Sequence, residues 1–357
     1  MPEIIKSYTK YKKILITGGA GFIGSTLIRK LLSTTNTIIY NLDKLSYSGS
    51  LESINRLTKE RNIDANRHNF IKIDLESYED THNAIKISKP DIIFHLAAES
   101  HVDRSIKNPG SFIRSNIIGT YNLLESANNY YHTLETSRKK NFKLIHISTD
   151  EVYGSIDGNN KFNEDSKYNP NSPYSASKAS SDHLVRAWYK TYGLPSIITN
   201  CSNNYGPWQY PEKLIPTIIL NALQGNRIPI YGTGKNIRDW LHVDDHVNGL
   251  IQISLHGEVG EAYCLGGNNE INNLDLAKMI CEKINNILKT GKNHKNLIKL
   301  IKDRAGHDKR YAIDSNKIKK KLNWAPIMKF DDGLEQTINW YIENTEWCKN
   351  TNQSNEN

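Results

Sequence analysis

The stretch Lys13-Ile14-Leu15-Ile16-Thr17-Gly18-Gly19-Ala20-Gly21-Phe22-Ile23-Gly24 is a short apolar run that meets glycines at 18, 21 and 24 and leads into a helix expected over Ser25–Leu32. It reads as a buried strand, a tight turn and a helix N-terminus. Glycine at 18 and 21 lets the backbone turn sharply and approach a ligand, while Gly24 lets the helix pack on the strand. Free N–H groups at the start of that helix suit a pyrophosphate. The next apolar run, Thr37–Leu42, is followed by Asp43, 19 residues after Gly24. A carboxylate there accepts from both ribose hydroxyls and repels a 2′-phosphate, so the expected cofactor is NAD rather than NADP.

Further runs rich in Ile, Leu and Thr follow at Phe70–Ile73, Asp91–Leu96, Lys143–Ser148 and Ser196–Cys201, with helical stretches between them. Strands alternating with helices predict an α/β fold, a doubly wound parallel (Rossmann) sheet covered on both faces. Residues 12–200 are expected to form this NAD-binding domain. Residues 201–346 are richer in Gly, Pro and Asn, with short runs at Ile228–Tyr231, Ala262–Leu265 and Leu297–Ile301 and an amphipathic segment at Leu334–Glu343. They read as a smaller α/β substrate lobe, with some segments returning to the first sheet. Residues 1–11 and 347–357 are expected to be flexible ends.

The 357 residues include 46 Lys+Arg and 38 Asp+Glu, a formal net charge of +8. Residues 282–321 hold 13 Lys/Arg against 4 Asp/Glu, enough for the whole surplus. This basic stretch has no interleaved aromatics and no recognised binding motif, so it reads as a solvated face rather than a nucleic-acid surface. No apolar run reaches the roughly 18 residues needed to cross a bilayer, and the first residues carry no signal-like apolar core. The four cysteines form no CxxC pair, which points to a reducing, cytoplasmic setting without a zinc clip or disulfide framework.

Two local patterns carry chemistry. Tyr174 and Lys178 stand four apart on an expected helix and so share a face. A nearby ammonium favours the phenolate, which would let Tyr174 act as a base near neutrality. In His146-Ile147-Ser148-Thr149-Asp150-Glu151-Val152-Tyr153-Gly154, polar residues emerge from the carboxyl end of a strand, where ligands bind in such sheets. Two adjacent carboxyl groups can divide acid and base work if their environments separate their pKa values. The small side chains of Leu96-Ala97-Ala98 would let a strand end approach the cofactor closely.

Together these motifs resemble the extended short-chain dehydrogenase/reductases, and within them the nucleoside-diphosphate-glucose 4,6-dehydratases. The resemblance runs through TGGAGFIG, DKLSYSG, HLAAESHVDRS, STDEVYG, YSASKA, NNYGPWQYPEKLIP, YGTGKNIRDWLHVDDH, GGNNEINNLD and DRAGHDKRYAID. It implies a lyase that converts a sugar nucleotide, either dTDP- or UDP-glucose, to the 4-keto-6-deoxy product, toward rhamnose or another deoxysugar. It also implies bound, recycled NAD and a homodimer, with no membrane or nucleic-acid partner. Tyr174, held as phenolate by Lys178, would deprotonate the C4 hydroxyl, with Thr149 bonded to the same oxygen. Glu151 would take the C5 proton and Asp150 would protonate the departing C6 hydroxyl. The resemblance adds Lys44, Ser46, Asp74 and Leu75 to the cofactor site. Around the substrate it implies Ser100, Asn203, Glu212, Lys213, Leu214, Tyr231, Arg238, Asn273, Arg304 and His307. Sugar-nucleotide epimerases and decarboxylases resemble the first half of the chain but are not expected to carry the Asp150-Glu151 pair. A non-catalytic nucleotide-binding role on the same fold is the reading from another class, and the intact Tyr174, Lys178 and Thr149-Asp150-Glu151 set speaks against it. His242-Val243-Asp244-Asp245-His246 has the look of a metal site, but Asp244 or Asp245 as a helix cap accounts for it without one.

Overall fold

The computed structural model describes residues 8–353. In chain order its strands are β1 (Lys13–Thr17), β2 (Ile38–Asp43), β3 (His68–Lys72), β4 (Ile92–His95), β5 (Lys143–Thr149) and β6 (Ser196–Cys201), then β7 (Asn203–Tyr205), β8 (Ile228–Tyr231), β9 (Ile237–His242), β10 (Ala262–Leu265), β11 (Glu270–Asn272) and β12 (Ile298–Ile301). Seven of them form one parallel sheet in the order β10-β6-β5-β4-β1-β2-β3. Such a sheet is covered by helices on both faces, which is why the apolar residues of β1 and β4 run continuously instead of alternating. One face carries Ile14, Ile16, Leu27, Ile28 and Leu31, and the other Leu15, Leu42, Ile93, Leu123 and Leu144.

The strand order reverses between β1 and β4, whose pairing brings Thr17 opposite His95. At that switch point the two following loops diverge and leave a crevice at the carboxyl edge. The sheet thus places the glycine turn after β1 beside the loops after β4, β5 and β6. β10 joins the sheet at the β6 edge.

The remaining strands build a three-stranded sheet, β11-β9-β7, and a two-stranded one, β12-β8. Beside them, helices Leu214–Gln224, Asn273–Leu288 and Phe330–Glu343 bury Ile215, Ile218, Ile219, Leu276, Ile280, Leu334 and Ile338 in a separate apolar core. β9 contributes Leu241 to the core of the main sheet and Trp240 to this second core.

The ends differ from expectation wherever the structure describes them. Tyr8 and Tyr11 are buried, and both hydroxyls bond Ser254. Thr345–Gln353 is helical, with Trp347 and Cys348 buried against the second core. Apolar burial overrides the polar composition of these segments; residues 1–7 and 354–357 lie outside the described residues. At 242–246 the helix Val243–His256 is capped by His242, whose Nδ1 accepts from the Asp244 N–H, and not by either aspartate. Asp245 instead accepts the backbone N–H groups of Ile327 and Met328, and His246 pairs with Asn204.

Candidate active site

The glycine turn is built too tightly for other residues. Gly18 has φ +71°, and a Cβ there would lie 2.6 Å from the Ala97 nitrogen. A Cβ on Gly24 would lie 2.2 Å from the Gly18 carbonyl oxygen. Gly21 differs: its missing side chain would meet only the Gly18 oxygen, at 3.2 Å, and the residue faces the crevice. Room is therefore kept at the helix N-terminus, where a pyrophosphate is held by N–H groups. Asp43 ends β2 on the same cavity, its carboxylate accepting from the Ala20 and Leu45 N–H groups at 3.0 and 2.8 Å. Each oxygen keeps a lone pair for a ribose hydroxyl. These features fit NAD.

Every residue assigned to the cofactor from sequence lines this one cavity: Gly18, Gly21, Phe22, Ile23 and Gly24 at the turn, Asp43, Lys44 and Ser46 after β2, Asp74 and Leu75 after β3, Leu96, Ala97 and Ala98 after β4, and Tyr174 with Lys178. Lys44 reaches Asp74, Glu99 and the Ser115 hydroxyl, each at 3.5 Å. Ser115 lies in a π-helical turn, Ile113–Ile118, and carries no local sequence signal that could have singled it out.

Thr149 ends β5, and a 3₁₀ turn, Asp150–Tyr153, follows at once, with the Glu151 N–H donating to the Thr149 hydroxyl at 3.3 Å. Thr149, Glu151, Tyr174 and Lys178 meet on the cavity wall. Asp150, between Thr149 and Glu151, is 1% exposed; its Oδ1 accepts from Thr149 at 3.3 Å and its Oδ2 has no partner. Burial pushes the Asp150 carboxyl well above its ordinary range, reinforced by Glu151 and Asp239. Burial also raises Glu151, but Arg304, Arg238 and Lys213 pull it back down. The two neighbours are thus separated, with Asp150 the more firmly protonated.

Tyr174 departs from expectation. Burial, then the charge of Glu151, pushes its phenol well above the usual value, while a hydrogen bond with Thr149 lowers it. Lys178 donates to the Ile147 carbonyl at 2.8 Å instead of to Tyr174.

Of the expected substrate residues, Ser100, Asn203, Glu212 and Lys213 line the cavity, with Lys213 donating to the Ser100 carbonyl at 2.8 Å. Glu212 accepts from Tyr47 at 2.7 Å and from Arg104 at 3.3 Å. The loop that carries them passes through Trp208, whose φ of +70° is strained for a bulky side chain. Trp340 and Trp347 pack on its ring at 4.9 and 5.4 Å and hold it there, which gives the ordered C-terminal helix its place. Tyr210, from the same loop, also lines the cavity.

Leu214, Tyr231, Arg238, Asn273, Arg304 and His307 lie off that cavity. Leu214 and Asn273 begin helices, and Asn273 is buried. Arg238 is buried on β9 over the Tyr311 ring and donates to the Asp308 carbonyl at 3.0 Å. Tyr231 donates to Asp103 at 3.2 Å, and Arg304 stands 3.9 Å from the same carboxylate. His307 pairs with Asp303 and meets the Tyr231 ring edge-on. Asp103, which bridges these residues to the main sheet, had no sequence signal beyond its place in HVDRS.

The family model described as GDP-mannose 4,6 dehydratase matches residues 15–337. The dTDP-glucose 4,6-dehydratase of Salmonella typhimurium is 49% identical over 95% of each chain. The chain belongs to the nucleoside-diphosphate-sugar 4,6-dehydratase family. Among solved structures, DesIV, a dTDP-glucose 4,6-dehydratase from Streptomyces venezuelae with NAD and TYD bound, superposes with a TM-score of 0.85 at 39% identity, covering 95% of this chain and 99% of that one. The NAD complex of the Bacillus anthracis dTDP-glucose 4,6-dehydratase gives a TM-score of 0.81 at 42% identity, with the same two coverages. This dehydratase is therefore an NAD-dependent hydro-lyase acting on a nucleoside-diphosphate glucose.

Proposed function

We propose that the substrate is dTDP-glucose and that Thr149, Asp150, Glu151, Tyr174 and Lys178 carry its dehydration. The observation that carries this assignment is the pair of adjacent carboxyl groups held in unlike environments beside a Tyr–Lys pair. NAD, when bound, accepts a hydride from sugar C4 and later returns it to C6. Tyr174 removes the C4 hydroxyl proton as that carbon becomes a ketone, and Thr149 bonds the same oxygen. The ketone acidifies the C5 proton, which Glu151 takes. Asp150, kept neutral by burial, gives its proton to the C6 hydroxyl as the C6–O bond breaks, and water leaves. C5 is reprotonated when C6 is reduced, so no net NAD is consumed. Arg238, Arg304 and Lys213 supply the positive charge that two phosphates require, and His307, held toward the neutral form by burial and by Arg304, adds a hydrogen-bonding ring. The thymidine assignment is supported by relatives at 48–49% identity named for dTDP-glucose.

The test is to give the NAD-loaded protein dTDP-glucose and UDP-glucose separately and weigh the products. Loss of one water is expected from dTDP-glucose, with kcat/KM favouring it about fivefold, the worth of roughly one methyl group. An equal or reversed preference would sink the thymidine assignment, and an unchanged mass with both sugars would sink the dehydration roles.

The protein is further proposed to be a homodimer of the cytoplasm, serving deoxysugar synthesis such as that of rhamnose. Ile118, Tyr121 and Tyr192 are 43%, 42% and 48% exposed, and Trp188 meets both tyrosine rings, so one apolar face spans helices Gly119–Thr133 and Pro173–Tyr192. A second copy would cover it. Sedimentation is expected to give twice the chain mass, falling to the monomer in Tyr121→Glu; a wild-type monomer at micromolar concentration excludes the dimer. The four buried thiols, none in a disulfide, suit a reducing compartment.

A further inference from the structure

Behind the catalytic strand end lies a buried carboxylate that no step of the dehydration uses. Asp182 is one helical turn beyond Lys178 on the helix Pro173–Tyr192, and it is 1% exposed. Donors from three further segments converge on it. His146 Nε2 lies 3.0 Å from Oδ1, while Ser148 Oγ, Tyr168 OH and Asn200 Nδ2 lie 2.8, 2.8 and 3.3 Å from Oδ2. These donors satisfy both oxygens of the buried carboxylate, as the burial of such a group requires.

Residues four apart share a helix face, so this anion sits beside the stem of Lys178, itself 4% exposed. A buried ammonium needs a counter-charge. The groups that face it can be enumerated. On its own helix are Tyr174 and Asp182; on β5 is His146, on β4 His95, and on β6 Cys201. Both histidines are held neutral by burial, and the Cys201 thiol is pushed up to about 12. Burial lowers the Lys178 pKa, and Asp182 is the leading group opposing it. Asp182 also ties Ser148, immediately before Thr149, to Asn200, whose amide donates to the Thr149 carbonyl at 3.2 Å.

We infer that Asp182 is a positioning residue for the dehydration: it is the counter-anion that keeps Lys178 charged, and it anchors the strand end that presents Thr149 and Glu151. This rests on the role proposed above for Tyr174 and Lys178. Asp182→Asn tests it with little change of shape. The amide oxygen can face Ser148, Tyr168 and Asn200, and its NH₂ can donate to His146, which then carries its proton on Nδ1, an atom without a partner in the native network.

In the NAD-loaded enzyme, Asp182→Asn is expected to lower kcat at neutral pH about tenfold or more, with KM within about twofold. The alkaline limb of the kcat profile should move to lower pH, because Lys178 loses its proton earlier. Ser148→Ala, which removes a donor but no charge, should leave that limb in place. A fall in kcat with both limbs unmoved would mean a merely structural role and overturn the proposal, as would an unchanged kcat. If Asp182→Asn does not fold, lysine NMR of the wild type decides: a neutral Lys178 at neutral pH refutes it and a charged one supports it. Tyr174→Phe separates the two ideas. If that variant still oxidises C4, the Tyr–Lys reading falls; if it does not and Asp182→Asn leaves the pH profile unmoved, only the role of Asp182 falls.

Discussion

Tyr174→Phe is expected to slow C4 oxidation by about a thousandfold, the usual worth of a well-placed general base. The ring is 8% exposed and packs edge-on to Phe112, so the shape and the fold survive the loss of one hydroxyl. The readout is single-turnover NADH absorbance after mixing with dTDP-glucose: wild type shows a transient and the variant none. Because burial and Glu151 both raise the phenol, the wild-type transient should grow faster as pH rises, until Lys178 begins to lose its proton. A variant transient at the wild-type rate would remove Tyr174 from the hydride step.

Asp150→Asn with Glu151→Gln is expected to leave that transient in place but to cut water release by about a thousandfold or more. NADH then persists, since reduction at C6 waits on elimination. The single variants divide the step: Glu151→Gln should abolish exchange of the C5 proton with solvent deuterium, whereas Asp150→Asn should keep the exchange and lose the elimination. Water release at the wild-type rate in the double variant would overturn both roles. The Asp150 carboxyl also makes a stability claim. Its folded pKa lies well above the unfolded value, so the native state holds more protons above the ordinary carboxyl range, and stability falls as pH rises through that window. Asp150→Asn removes this term, and its Tm at neutral pH should be higher than that of wild type. A lower Tm would mean that the carboxyl is stabilising where it sits.

The Trp208 loop shows why some site residues escaped a linear reading. Glu212 and Lys213 were legible from their motif, but what holds them is Trp347, in a terminus whose polar composition pointed to disorder. The pairing of Asp103 with Arg304 and Tyr231 joins segments more than a hundred residues apart, and neither side carries a periodic signal for the other. The cap at His242 is likewise set by tertiary contacts. Asp244 and Asp245 have better capping chemistry, yet Asp245 is taken by the 327–328 backbone and the ring of His242 lies in reach of the Asp244 N–H.

By itself the sequence determined whatever depends on neighbours along the chain. The spacing of Gly18, Gly21 and Gly24, the acid at the end of β2, the strand–helix alternation and the helical offset of Tyr174 and Lys178 all follow from local sterics and backbone geometry. These set the class of sheet and the strand–turn–helix geometry at the end of β1, while the order of the strands is a tertiary result. Only the tertiary structure decided which protons the site holds. Local spacing suggested a Tyr174 lowered by Lys178, but a pKa depends on burial and on every charge nearby. Packing put Tyr174 beside Glu151, buried Asp150, gathered Arg238, Arg304 and Lys213 around Glu151, and brought His146, Ser148, Tyr168 and Asn200 onto Asp182.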